Sequence, residues 1–208
     1  LYYSVNDDAD IIVDYGFGRG SNIGVTNLGR NQIEDWTFSY LHGRYVSPRI
    51  FAQVYNTWND AGNTIQINGR TTNYYTLLAQ GKTQAEAREL STKPVSEGGV
   101  GFPGFIDNSS RLNGEVQYNN NYEGFNFIVG ASFQRDQAFS DGTYLYDVNG
   151  DIIINQFGGV VQVEKDLTNN LKFTGAARVD KHDYYGTQFS PRLALTMNGA
   201  GGTFRTTY

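Results

Sequence analysis

The sequence predicts an all-β chain, folded as an antiparallel transmembrane β-barrel of the outer-membrane type. Three observations predict it. Apolar and polar residues alternate strictly in several runs. Several runs span about 9–11 residues, the length a tilted strand needs to cross a bilayer, whereas strands of soluble sheets average about 5–6. Tight turns also alternate with longer connections along the chain.

In chain order, residues 1–5 and 11–15 read as extended, and the Gly-, Asn- and Arg-rich stretch 16–31 as irregular. Weaker strands cover 36–42 and 49–58. The clearest strand is 111–118, where Leu112, Gly114, Val116 and Tyr118 alternate with Arg111, Asn113, Glu115 and Gln117. Period two puts these sets on opposite faces. The pattern resumes with Phe125, Phe127, Val129, Ala131 and Phe133, where Ile128 and Gly130 spoil the polar side. A weaker run covers 156–165. Leu171, Phe173, Gly175, Ala177 and Val179 then alternate with Lys172, Thr174, Ala176, Arg178 and Asp180. Phe189, Pro191, Leu193, Leu195 and Met197 face away from Ser190, Arg192, Ala194 and Thr196, and 203–208 closes the series.

The connections near 43–48, 119–124, 166–170 and 198–202 are short, whereas 59–110 and 136–155 are long and 182–187 is intermediate. Antiparallel neighbours place successive connections at opposite ends of a sheet, so the tight turns gather at one end and the long loops at the other. Outer-membrane barrels have this asymmetry, with short periplasmic turns and long extracellular loops. Within the first loop, Thr83 followed by Glu86 predicts a capped helix over 83–91. In the second, Asn149-Gly150 between β-rich runs predicts a projecting hairpin.

Composition bounds the function. Sixteen basic against twenty-one acidic residues give a net charge of −5, which argues against a nucleic-acid partner. The absence of Cys removes disulfides, thiolate metal sites and Cys nucleophiles. Hydrophobic content is 39% with mean hydropathy −0.47, while Gly, Tyr and Phe number 25, 15 and 13. Such a mix suits strands wet on one face and long polar loops better than an aliphatic core. No apolar run is long enough for a spanning helix, and no leader-like N-terminus is present.

The stretch NLKFTGAARVDKHDYYGTQFSPRLALTMN (170–198), followed by TFRTTY, resembles the middle barrel of TonB-dependent outer-membrane receptors. Residues 36–62 and 114–136 are similar to the same barrel. The resemblance implies part of a barrel of about 22 strands, in a protein that imports a siderophore, cobalamin, saccharide or peptide across the outer membrane of a Gram-negative bacterium. It implies three partners: outer-membrane lipid, a small transported ligand, and the TonB complex engaged through a plug domain. This chain carries no plug or TonB-box sequence, and residues 1–35 read as an irregular or early barrel segment before the strands of 36–208. The chain is therefore expected to be part of a longer protein. In such a wall, Phe125, Phe127, Val129, Leu171, Phe173, Val179, Leu193 and Leu195 would face lipid. Arg111, Glu115, Gln117, Lys172, Arg178 and Arg192 would face the lumen.

No enzyme chemistry, metal site or cofactor is expected. Gly16, Gly18 and Gly20 lack the strand–helix context of a phosphate loop. The acids at Asp7, Asp8 and Asp10 suit a solvated turn. His42 and His182 lack acid–nucleophile partners, and Glu34, Glu97, Glu115 and Asp136 lack the spacing of a glycosidase pair. Trp36, Tyr40, Trp58 and Tyr118, near strand ends, suit an interfacial aromatic girdle. Tyr74, Tyr75, Tyr144 and Tyr146, in the long loops, are the ligand candidates, because rigid aromatic rings lose little entropy on binding. Two alternatives remain from sequence: a complete small barrel of eight or ten strands serving as anchor or adhesin, and a secreted carbohydrate-binding β-sandwich. The first requires 1–5 or 36–42 to pair with 203–208.

Overall fold

A computed structural model describes residues 1–26 and 29–208. One antiparallel sheet contains β1 (Tyr2–Asn6), β2 (Ala9–Thr26), β3 (Gly29–Val46), β4 (Ile50–Asp60), β5 (Ile65–Gln66), β6 (Ser110–Tyr122), β7 (Phe125–Ala138), β8 (Ile152–Thr168), β9 (Leu171–His182), β10 (Gly186–Gly199) and β11 (Gly202–Thr207). Each strand pairs with the next in chain order, except that the two-residue β5 sits beside β3 and leaves β4 to pair with β6. Strands β2, β3 and β8 run to 17 or 18 residues, beyond the expected lengths.

The sheet is open. Residues 203–208 pair with neither 1–5 nor 36–42, so the complete small barrel is not what this chain forms. Nor do the described residues form a second sheet to make a sandwich. The connections sort by end as predicted. The turns after β1, β3, β6, β8 and β10 are all tight and share one end. The 61–109 and 139–151 connections and the β9–β10 turn share the other. At the tight end, β6 and β7 meet across Glu123 and Gly124, both with positive φ (50° and 77°), the conformation that matches the twist of a two-residue hairpin.

Three local expectations are corrected. Stretch 16–31 is largely strand: β2 pairs with β3 as far as Thr26 opposite Gly29, while Asn27 and Leu28 lie outside the described residues. Small and polar side chains obscure the alternation there, but the backbone ladder does not need apolar side chains. The Arg19–Asp35 ion pair (2.7 Å) and the bond from the Asp35 N–H to Ser21 Oγ (2.9 Å) help hold this ribbon. The Asn149-Gly150 hairpin does not form; 139–151 is instead a compact coil around Asp147. The long loop contains an additional helix, α1 (Ile67–Ala79), before the predicted one, α2 (Gln84–Leu90). Helix α2 has the expected cap, with the Glu86 N–H donating to Thr83 Oγ1 (3.3 Å) and the Thr83 N–H to Glu86 Oε2 (2.8 Å).

There is almost no core. Among the described residues the buried hydrophobics are Ala9, Ala61, Leu77, Ala87 and Ala194, and none of the thirteen phenylalanines is buried. The accessible surface is 13750 Å², against about 9,700 Å² expected of a compact chain of this mass. The sheet leaves its greasy side bare.

Candidate functional site

Residues directly opposite in an antiparallel ladder put their side chains on the same face, so register sorts the faces without ambiguity. One face carries a polar network. His42 on β3 lies opposite Tyr55 on β4, and its Nε2 is 3.1 Å from Gln53 Oε1. Gln53 Nε2 donates to Glu115 Oε2 on β6 (2.9 Å), and Gln117 donates to the other carboxylate oxygen. On the β2 side, Asp14 lies 3.7 Å from His42 and 3.6 Å from Arg44. Further round the sheet, Arg111 forks onto Asp136, which also accepts from Gln134 (2.9 Å). Arg178 grips Asp180 with two bonds (2.7 and 2.6 Å). Gly158 makes room for that pair, because a Cβ there would lie 2.6 Å from the Arg178 guanidinium and 2.8 Å from the Asp180 carboxylate. Lys172 stands 3.9 Å from both Glu164 and Asp166.

The six residues expected to face the lumen thus share one face, with Arg192 placed there by its pairing with Ala176. Val160, Phe51 and Ile128 interrupt it. At its centre lies a cleft of about 170 Å³, lined by Gln53, Tyr55, Glu115, Gln156 and Arg178. The Asn113 side-chain nitrogen, also in the wall, is buried and meets no acceptor.

The opposite face carries the eight residues expected to meet lipid. The register aligns Val129 with Val161, Ala177 and Pro191, and Phe127 with Val163, Gly175 and Leu193. Val129, Val179 and Leu193 are about half exposed, with no layer of protein against them. The apolar band does not follow one row. On β2 its unbroken run ends toward the loops at Phe17, beyond which Arg19 and Ser21 interrupt it before Ile23 and Val25. On β10 it ends at Phe189, opposite Val179, with Thr187 and Lys181 beyond. Phe189 shares a row with Ile11 across the intervening ladders, so the band's edge descends by six residues between β2 and β10.

The aromatic girdle divides. Trp58 and Tyr118 lie on the apolar face. Tyr40 lies on the polar face, its ring over Gly16. Trp36 stays on the polar side too, donating to Asn59 Oδ1 (2.6 Å). Both positions follow the parity of β3, which the sequence left unfixed because polar residues dilute its alternation.

At the long-loop end, Trp36 stacks on Phe105 (5.8 Å), and Phe105 on Tyr144 (4.7 Å, 9° between planes). This ladder ties β3 to both long loops. Burial, reinforced by the nearby Asp107 carboxylate, raises the Tyr144 phenol above its ordinary value. Tyr144 stacks in this ladder with 42% of its surface still exposed, whereas Tyr146 is 86% exposed. Tyr74 and Tyr75 sit together on α1, edge to face at 5.3 Å. No ring contact among the described residues joins them to Tyr144 or Tyr146. Asp147 organises the second loop, accepting from the Ser140 N–H and Oγ (2.8 Å) and from the Gly142 N–H (2.7 Å). Its burial opposes the charge, but those donors outweigh it and lower the carboxyl below its ordinary value. His182 packs on Tyr185 (4.8 Å) at the β9–β10 turn.

Sequence reasoning missed Phe105 and Phe102. Both lie in Gly101-Phe102-Pro103-Gly104-Phe105, and a large aromatic in a Gly/Pro-bounded loop was the available signal. Among the described residues no three His, Asp or Glu side chains converge to hold a metal ion, and no helix is long and apolar enough to cross a membrane. No protein-family model matches the chain, and no curated protein matches it.

Proposed function

We propose that this chain is a section of the wall and outer loops of an outer-membrane receptor barrel, of the TonB-dependent type, that takes up a scarce solute. The uncovered apolar face is the observation that carries the reading. A face of Phe, Val and Leu spanning ten strands far exceeds the few hundred Å² that soluble monomers usually expose. The slope of the band supports the same solvent. Six residues of rise at about 3.3 Å each, over seven strand steps of about 4.8 Å, give about 30°. Membrane barrels tilt their strands by about 35–45°, so a horizontal slab of lipid crosses successive strands at shifting positions. The sorted connections put the elaborated loops on one side of that slab. The polar network, with its cleft and its buried Asn113 donor, lines the side that a lumen would occupy.

The test is partition. The protein is expected to enter detergent or lipid vesicles and to sediment with outer-membrane fractions when expressed in a Gram-negative host. A monodisperse, detergent-free monomer in buffer would overturn the proposal.

A further inference from the structure

Two adjoining clefts open at the long-loop end, the larger between the two long loops and the smaller between the first of them and β3, and Phe102 and Ile106 line both. The larger, of about 700 Å³, is bounded by Gln66, Pro94, Glu97, Asp141 and Thr143. The smaller, of about 340 Å³, is bounded by Gln32, Glu34, Asn63, Arg70 and Thr92. Both fall within the roughly 300–1,000 Å³ of small-ligand sites.

Phe102 is half exposed, though it stands between two loops that bury smaller residues. Its position is built in. A Cβ on Gly104 would fall 1.9 Å from the ring, so only glycine lets the ring lie against the backbone there. Pro103 restricts Phe102 to extended backbone, and the Pro103 carbonyl accepts from the Gln66 N–H (2.8 Å). Thr143 fastens the second loop to the first, with the Ile106 N–H donating to its Oγ1 (3.0 Å). The ring is thus a fixed platform in a cleft whose two walls are joined.

Charge narrows the occupant. Glu97 is paired with Lys93 (3.1 Å), and Glu34 shares its chamber with Arg70. Neither the Glu34 nor the Asp141 carboxylate has a donor of its own among the described residues, and Asp141 has no cation in its chamber. The walls otherwise offer amides and hydroxyls, which both donate and accept. An anionic solute finds a single cation there, and a strongly cationic one finds Arg70 in the chamber of Glu34 and Lys93 on Glu97, which leaves Asp141 as the one uncompensated charge. A neutral polyhydroxylated solute fits both features: C–H edges meet the negative face of an aromatic ring, and hydroxyls meet amides and carboxylate.

We infer that the paired clefts bind a neutral oligosaccharide, with Phe102 as the stacking platform and Gln66 and Asp141 among its hydrogen-bond partners. This rests on the receptor reading, in that the loop end faces the outside medium. The test is calorimetric titration of the protein in detergent with neutral α- and β-glucan, mannan, xylan and galactan hexasaccharides, alongside hexalysine and ferric citrate. At least one hexasaccharide should bind, with Phe102→Leu weakening it tenfold or more, Asp141→Asn weakening it several-fold, and Phe102→Tyr preserving it. Unchanged near-ultraviolet dichroism in Phe102→Leu would show that its fold persists. Binding of hexalysine or ferric citrate alone, binding of no hexasaccharide, or indifference to Phe102→Leu would overturn the inference. Stable insertion into detergent alongside such a failure would leave the receptor reading standing, whereas failure to insert would remove that reading first.

Discussion

On one face of β3, β4 and β6, His42, Gln53 and Glu115 pass hydrogen bonds from strand to strand. On the other face, the same strands present Leu41, Val54 and Val116, each about half exposed and bare of any covering layer. The polar face satisfies most of its own groups, Asn113 Nδ2 and Arg44 Nε being exceptions, because buried carboxylates and amides are costly when unpaired. The apolar face has nothing of its own to satisfy and must be matched by its solvent. Water would penalise it along ten strands; hydrocarbon would not. The difference is what the proposed function explains, as a sheet built for two media at once.

The sharpest way to break the comparison is to exchange the chemistry of the faces. Val129 lies mid-band on β7, so Val129→Arg should destabilise the lipid-inserted protein by about 2–4 kcal/mol if that band meets the bilayer midplane. Gln117→Arg, on the polar face beside Glu115, should cost far less. Urea titration in vesicles compares the two, and equal losses would contradict the face assignment. Next in size is the polar network: Glu115→Ala strands the Gln53 and Gln117 amides and should cost about 1.5–3 kcal/mol by the same titration. Removing the α2 cap with Thr83→Ala should cost about 1 kcal/mol of local helix stability, read by hydrogen exchange of residues 84–90.

The smallest effect concerns pH. Asp147 titrates below its ordinary value in the folded loop. Its contribution is therefore complete above the unfolded value of about 3.9 and is lost as pH falls through the lower folded value. Amides of 139–151 should keep their protection factors at pH 5 and lose part of them near pH 3, while Asp147→Asn should lower them already at neutral pH. Equal protection at both pH values would assign the loop's order to its aromatic contacts instead.

Much of the wall was legible in the sequence because period-two patterning is local. Arg111, Glu115, Gln117 and Val129 could be assigned to faces from their neighbours alone, and the antiparallel order then sorted the connections. The ribbon of β2 and β3 was not legible, since Gly18, Gly20 and Asn22 give no alternation while their backbone still pairs. The loop site was the least legible part. Whether Tyr144 would pack or bind depended on Phe105, thirty-nine residues away, and Asp147 displaced the Asn149-Gly150 hairpin by gathering donors from Ser140 and Gly142. Such long-range choices leave no periodic trace.

The two tryptophans allow the most direct measurement. Trp58 lies on the apolar face, 43% exposed, whereas Trp36 stacks on Phe105 on the other side. In vesicles of lipid brominated along the acyl chain, Trp36→Phe should leave a fluorophore that is strongly quenched. Trp58→Phe should leave one that is nearly untouched. Equal quenching of the two, or none of Trp58, would contradict the claim that this face meets hydrocarbon.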